Sequence, residues 1–145
     1  MRKYLLLLPV VALLAMGMGN LGLSGEDTPH KPSRNFTGTV TDRSNVAKHV
    51  THMHCEGKLY IYGYLGEMRV KMPFDNLMKV QLNPGPTGYA DGVVTLRDGQ
   101  TQQLRFKNLT RCYGDADLGQ IMVRIKDLKL IEFDTPPPPK EEPSK

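Results

Sequence analysis

Two stretches of this chain alternate apolar and polar residues with almost the same rhythm. Residues 65–82 read LGEMRVKMPFDNLMKVQL, and residues 118–133 read LGQIMVRIKDLKLIEF. Each opens on Leu-Gly and continues with an every-second-residue apolar series, Met68, Val70, Met72 in the first and Ile121, Val123, Ile125 in the second. Each ends on a three-then-two spacing, Leu77, Val80, Leu82 against Leu128, Ile131, Phe133. A period of two places alternate side chains on one face of a strand. Aligned on Leu-Gly, the copies need one gap, at Pro73-Phe74. The echo extends upstream, where GTVTDR (38–43) answers GVVTLR (92–97), and each half holds one cysteine, Cys55 and Cys112.

No segment sustains a helical period. The pattern predicts an all-β domain over 36–133, a duplicated β-meander of about eight short strands closed as a sandwich or small barrel, with repeats at 36–82 and 92–133. Turn chemistry separates the strands at Asp42 to Asn45, Glu56-Gly57 and Asp98-Gly99. NPGPTGYAD (83–91) joins the halves. Pro73 lacks a backbone donor and should end the ladder of its strand. The change of period at Leu77 predicts a single turn leading into a short strand.

The flanks differ from this core. Residues 1–25 carry Arg2 and Lys3, an apolar run from Leu5 to Met16, and then small residues, the layout of a secretory signal peptide. The run is shorter than the roughly 20 apolar residues that span a bilayer, so cleavage without stable membrane insertion is expected. Residues 26–35 read as a linker, and the proline-rich 134–145 as a disordered tail. Loss of Arg2 and Lys3 would halve a net charge of +4, too mild a balance to argue for nucleic acid. The chain is therefore expected outside the cytoplasm, in the periplasm, at the cell surface or beyond it. There an even number of cysteines favours a Cys55–Cys112 disulfide.

Few residues suggest chemistry. His49, His52 and His54 precede Cys55, and all four side chains suit zinc or copper. In a regular strand His52 and His54 share a face while Cys55 points away, so the group alone makes a strained tetrahedral site. The half-exposed-strand reading stands beside a metal-binding envelope protein as the alternative. No other cofactor is suggested. Asp115 and Asp117 could ligate calcium but lie in too short a loop, and a plain turn accounts for them. Tyr60, Tyr62, Tyr64 and Tyr113 can form a sugar-stacking or protein-facing patch, or divide between core and interface. The nucleophile-elbow, zinc-protease and phosphate-loop motifs are missing, and acidic residues are scattered among turns.

The phrase VKMPFDNLMKVQL, with its weaker copy VRIKDLKLIEF, resembles small exported bacterial β-domains of unknown function. Their recurring phrase combines Ile-Pro-Phe or Ile-Pro-Leu, a Lys/Asp pair and an Ile-x-x-Ile-Glu-Phe ending. The likeness spans roughly 36–133, and the second copy lacks the Pro-Phe element. It implies a β-rich envelope protein and carries no catalytic residue. The sequence thus points to a non-enzymatic binding or structural module whose partner is an envelope protein or polysaccharide. A metal-binding protein and a cell-wall or carbohydrate hydrolase are the alternatives.

Overall fold

A computed structural model describes residues 34–139; the expected signal peptide, most of the linker and residues 140–145 lie outside them. The chain forms ten strands: β1 (Gly38–Asp42), β2 (Ala47–Cys55), β3 (Tyr60–Leu65), β4 (Met68–Pro73), β5 (Leu77–Pro84), β6 (Tyr89–Leu96), β7 (Thr101–Lys107), β8 (Arg111–Ala116), β9 (Gly119–Arg124) and β10 (Leu128–Phe133). Single 3₁₀ turns, Phe74–Asn76 and Ile125–Asp127, precede β5 and β10. The described residues contain no α-helix. All ladders are antiparallel and form one strongly curled half-barrel sheet in the order β4-β3-β7-β6-β5-β10-β1-β2-β8-β9. The all-β class and the duplication hold. The strands number ten rather than about eight, five from each half, and within a half they pair as two hairpins and a single strand rather than as a continuous meander.

The sheet order is its own mirror when the halves are exchanged. Replacing β1–β5 by β6–β10 and the reverse turns the order end for end, so a pseudo-twofold axis passes between β5 and β10. We call β4-β3-β7-β6-β5 the first wing and β10-β1-β2-β8-β9 the second. The ladders also correct the alignment of the copies. Ile61 faces Met72 and Gly63 faces Val70, as Cys112 faces Val123 and Gly114 faces Ile121. Met68, Val70 and Met72 therefore correspond to Gly119, Ile121 and Val123, and no gap is needed. Ile125 corresponds to Phe74, and both are fully buried in the 3₁₀ turns. The upstream echo holds without change, since Gly38 opposes Phe133 as Gly92 opposes Leu82.

The three-step spacing has a local cause. In β5 the register slips between Leu77 and Lys79, and in β10 Asp42 pairs with Leu128 while Thr41 pairs with Leu130. Met78 and Lys129 are the extra residues of matching β-bulges. The bulge lets Leu77 and Val80, or Leu128 and Ile131, both face the interior, and all four are almost completely buried. The turn that the spacing suggested lies just before these residues. Each 3₁₀ turn is held by the opposite half: the Arg43 amide donates to the Asp127 carbonyl, and the Arg97 amide to that of Asn76. The two arginines are the last residues of GTVTDR and GVVTLR, which accounts for that echo reaching past the strands.

Phe36, Phe74 and Phe133 meet in the core, with Phe74 edge-on to Phe36 at 5.6 Å and 5.0 Å from Phe133. Glycines on the inner face make room for large neighbours. A Cβ on Gly63 would lie 2.9 Å from Met72 Cε, and one on Gly114 would lie 2.7 Å from Val50 Cβ. The same deletion of a side chain serves both wings at equivalent positions.

Candidate functional site

The hollow between Val40, Val50, Ile121, Val123 and Phe133 amounts to about 10 Å³, at or below what one water needs.

The expected disulfide is present. Cys55 in β2 and Cys112 in β8 are register partners with Cα atoms 4.0 Å apart, and the bridge closes a separation of 57 residues. The cysteines are not copies of one another, because Cys112 takes the register of Ile61. The bridge instead fastens the first half's β2 to the second half's hairpin.

The histidines are not brought together. His52 has a left-handed backbone, φ 52°, and the β2–β8 register breaks between Thr51 and His54. The strand alternation assumed for His52 and His54 is lost there. Asn35 Oδ1 accepts the His52 amide at 2.7 Å, holding the bulge. His49 Nε2 lies 2.9 Å from Asp134 Oδ2, and His52 Nδ1 lies 3.4 Å from Asp115 Oδ2. His54 is buried, stacks on Tyr113 at 5.0 Å and accepts the Gly57 amide. Cys55 has its sulfur in the disulfide. No group of three or more His, Cys, Asp or Glu among the described residues is arranged to hold a metal ion. The structure thus does not assemble His49, His52 and His54 into one metal site among the described residues. The calcium reading weakens likewise, because Asp117 pairs with Lys48 at 3.1 Å while Asp115 faces His52.

Electrostatic contacts cluster where residues 34–37 and 134–137 meet both wings. Thr37 Oγ1 donates to Asp134 at 2.6 Å. That hydrogen bond, followed by His49, holds the Asp134 carboxyl below its ordinary value. Arg97 donates to the Asp134 carbonyl. Arg34 grips Asp75 through two nitrogens, at 3.0 and 2.8 Å, and donates to the Pro137 carbonyl. The paired guanidinium lowers the Asp75 pKa. The last linker residues and the first tail residues are thus tied to the domain.

The first wing carries the other concentration of polar and aromatic groups. Ile61 and Gly63 face the core, so Tyr60, Tyr62 and Tyr64 line the outer face of β3. Arg69 lies over the Tyr62 ring at 4.3 Å, Lys71 over Tyr60 at 4.2 Å and Lys107 over Tyr64 at 5.5 Å. Tyr60 and Tyr62 meet edge to face at 5.3 Å, and Tyr64 meets Tyr89 at 6.2 Å. A hydrogen bond with Tyr62 raises the Tyr60 phenol pKa. Beside Tyr64 an open depression of about 560 Å³ extends across Asn83, Asp91, Gln103 and Arg105. Asp91 and Arg105 pair at 3.4 Å. The sequence named three of these tyrosines. It did not reveal the cations on them, since Arg69 and Lys71 belong to the next strand and Arg105 and Lys107 to the other half. Tyr113, the fourth tyrosine named, lies in the other wing against His54.

Neither a curated protein nor a solved structure matches this chain. A family model described only as "Uncharacterised protein" matches residues 32–136, which takes in all ten strands, and the chain belongs to that family of uncharacterised proteins.

Proposed function

We propose that this chain is an exported, non-enzymatic module of a bacterial cell envelope that binds another envelope macromolecule through the outer face of its first wing. The observation that carries the reading is the column Tyr60, Tyr62, Tyr64 with cations seated on its rings. Tyrosine and arginine are residue types that recognition surfaces favour, tyrosine because its ring packs while its hydroxyl stays wet. The signal-like first 25 residues and the Cys55–Cys112 bridge support export, since disulfides persist in oxidising compartments. The filled interior supports binding at the surface rather than carriage of a small molecule. The depression beside Tyr64 holds one carboxylate, Asp91, already paired with Arg105. Glycoside hydrolysis ordinarily needs two carboxyl groups across a bond, so this surface supports binding over cleavage.

Co-sedimentation with isolated envelope material tests the proposal. The oxidised domain should pellet with it saturably, and the reduced, denatured chain should not. Recovery at background level for the folded domain would remove the reading.

A further inference from the structure

The charge and spacing of the first wing identify a class of ligand. We infer that the outer face of β3 binds an acidic linear glycan lying along the strand, with Tyr60, Tyr62 and Tyr64 as the floor and Arg69, Lys71, Arg105 and Lys107 as two cationic rails. The inference rests on the reading of this chain as an envelope-binding module and names what that module would hold.

The geometry is that of a shallow trough. β3 lies between β4 and β7, so each rail stands one strand spacing, about 4.8 Å, from the tyrosines. Successive tyrosines repeat every second residue, or about 6.7 Å along the strand. Arg69 is the register partner of Tyr64 yet rests on Tyr62, and Lys71 is the partner of Tyr62 yet rests on Tyr60. Each cation of the β4 rail therefore leans one step along the floor and is held there by the ring beneath it. On the other rail Lys107 is held the same way by Tyr64. Ordering these long side chains before a ligand arrives lowers the entropy lost on binding. The four cations are all exposed, and Asp91 is the one carboxylate lining the depression between them and β6. A polymer with carboxylates or sulfates along its length would find charge-assisted partners on both rails. The tyrosines beneath hold Arg69, Lys71 and Lys107 in place.

The second wing serves as an internal control. The same scaffold, built again, places Arg111, Tyr113 and Asp115 where the first wing has Tyr60, Tyr62 and Tyr64. It places Gln120 and Met122 where the first has Arg69 and Lys71. Opposite Asp115 stands Thr51, where Arg105 stands opposite Tyr64. The second wing keeps one tyrosine of the three, Tyr113, and neither cation of the β4 rail, so the fold forms without the full column and that rail. The Cys55–Cys112 bridge fits an oxidising compartment, and nucleic acid is the competing polyanion included in the test.

The test is affinity electrophoresis of the oxidised mature domain through polygalacturonate and through a neutral linear glucan, with calorimetric titration of single-stranded DNA alongside. Polygalacturonate should retard the domain and the glucan should not, with the effect weakening as salt is raised. Arg69→Gln/Lys71→Gln should weaken retention about tenfold or more, the scale of one lost charge-assisted contact. Tyr62→Ala should weaken it with the charges kept. Gln120→Ala/Met122→Ala, on the second wing, should leave it unchanged. Thermal midpoints of all variants, compared beforehand, separate loss of contact from loss of fold. Retention equal on the neutral glucan, retention indifferent to the Arg69 and Lys71 change, or tighter binding to DNA would each overturn the inference. If the domain pellets with envelope material yet ignores polygalacturonate, the ligand class is wrong and the binding module stands. If it does neither, both fail.

Discussion

Gly38 sits in β1 so close to β10 that a Cβ there would overlap the Glu132 carbonyl oxygen, with Met53 Sδ only 3.2 Å away on another side. The obstacle is backbone in the middle of a ladder and cannot swing aside. Gly38→Ala should therefore destabilise the domain by about 1–3 kcal/mol, the usual range for overpacking, measured as a lower urea midpoint at unchanged slope. An unchanged midpoint would show that β1 and β10 can part enough to admit a methyl group. Asp75 offers a second single-residue test. Its folded pKa is depressed below 3.8, first by the hydrogen bonds from Arg34. A depressed carboxyl contributes stability that is complete above the unfolded value and is lost as pH falls through the folded one. Wild type should thus exceed Asp75→Asn in stability at neutral pH, and the gap should close as pH falls below the ordinary carboxylate range. Urea midpoints at several pH values measure it, and a gap that stayed constant down to the acid end would assign the effect to packing instead.

Along β2 and β8, sequence patterning and structure part company in an instructive way. A strict alternation over 50–55 put His52 and His54 on one face. The bulge at His52 breaks that alternation, and its cause lies elsewhere in the chain: Asn35 holds the His52 amide, and Met53 fills the space that Gly38 leaves by lacking a side chain. Neither partner can be read from the local pattern. By contrast the bulges at Met78 and Lys129 were visible as three-step spacings, because each lies between two core residues of its own strand. The Cys55–Cys112 pairing was legible from compartment and count, although the supposed equivalence of the two cysteines was not the reason for it. Its energetic effect follows from the loop it closes. With a separation of 57 residues, the chain-entropy model gives about 4 kcal/mol. The Cys55→Ala/Cys112→Ala variant should lose most of that in urea unfolding, and wild type in excess reductant should match the variant. Equal stability of oxidised and reduced protein would mean that the β2–β8 ladder holds without its bridge.

Strand pairing across the whole molecule sets the terms on which either half can exist. Within the first half, β1 pairs with β2 and β3 with β4, but neither hairpin touches the other in the ladder, and β5 pairs with neither. The second half repeats this, with β6-β7, β8-β9 and a lone β10. Every remaining ladder, β3-β7, β6-β5, β5-β10, β10-β1 and β2-β8, joins one half to the other. The hairpins and the last strands are exchanged between repeats, as if two copies of one chain had been wound together and then linked through 85–88. Sequence periodicity shows the copies but not the exchange, because alternation fixes which face a residue takes and says nothing of which strand lies beside it. A half by itself would be two isolated hairpins and a spare strand, and a lone hairpin is marginal in water. Peptides covering 34–86 and 87–139, each carrying one cysteine, should therefore be largely disordered alone, with circular dichroism lacking a cooperative transition. Mixed under mild oxidation they should recover strand signal and cooperative melting, and form one mixed disulfide between Cys55 and Cys112. A folded, cooperatively melting 34–86 peptide would show that the hairpins can pair within a half, and the exchanged topology would then be one arrangement among two.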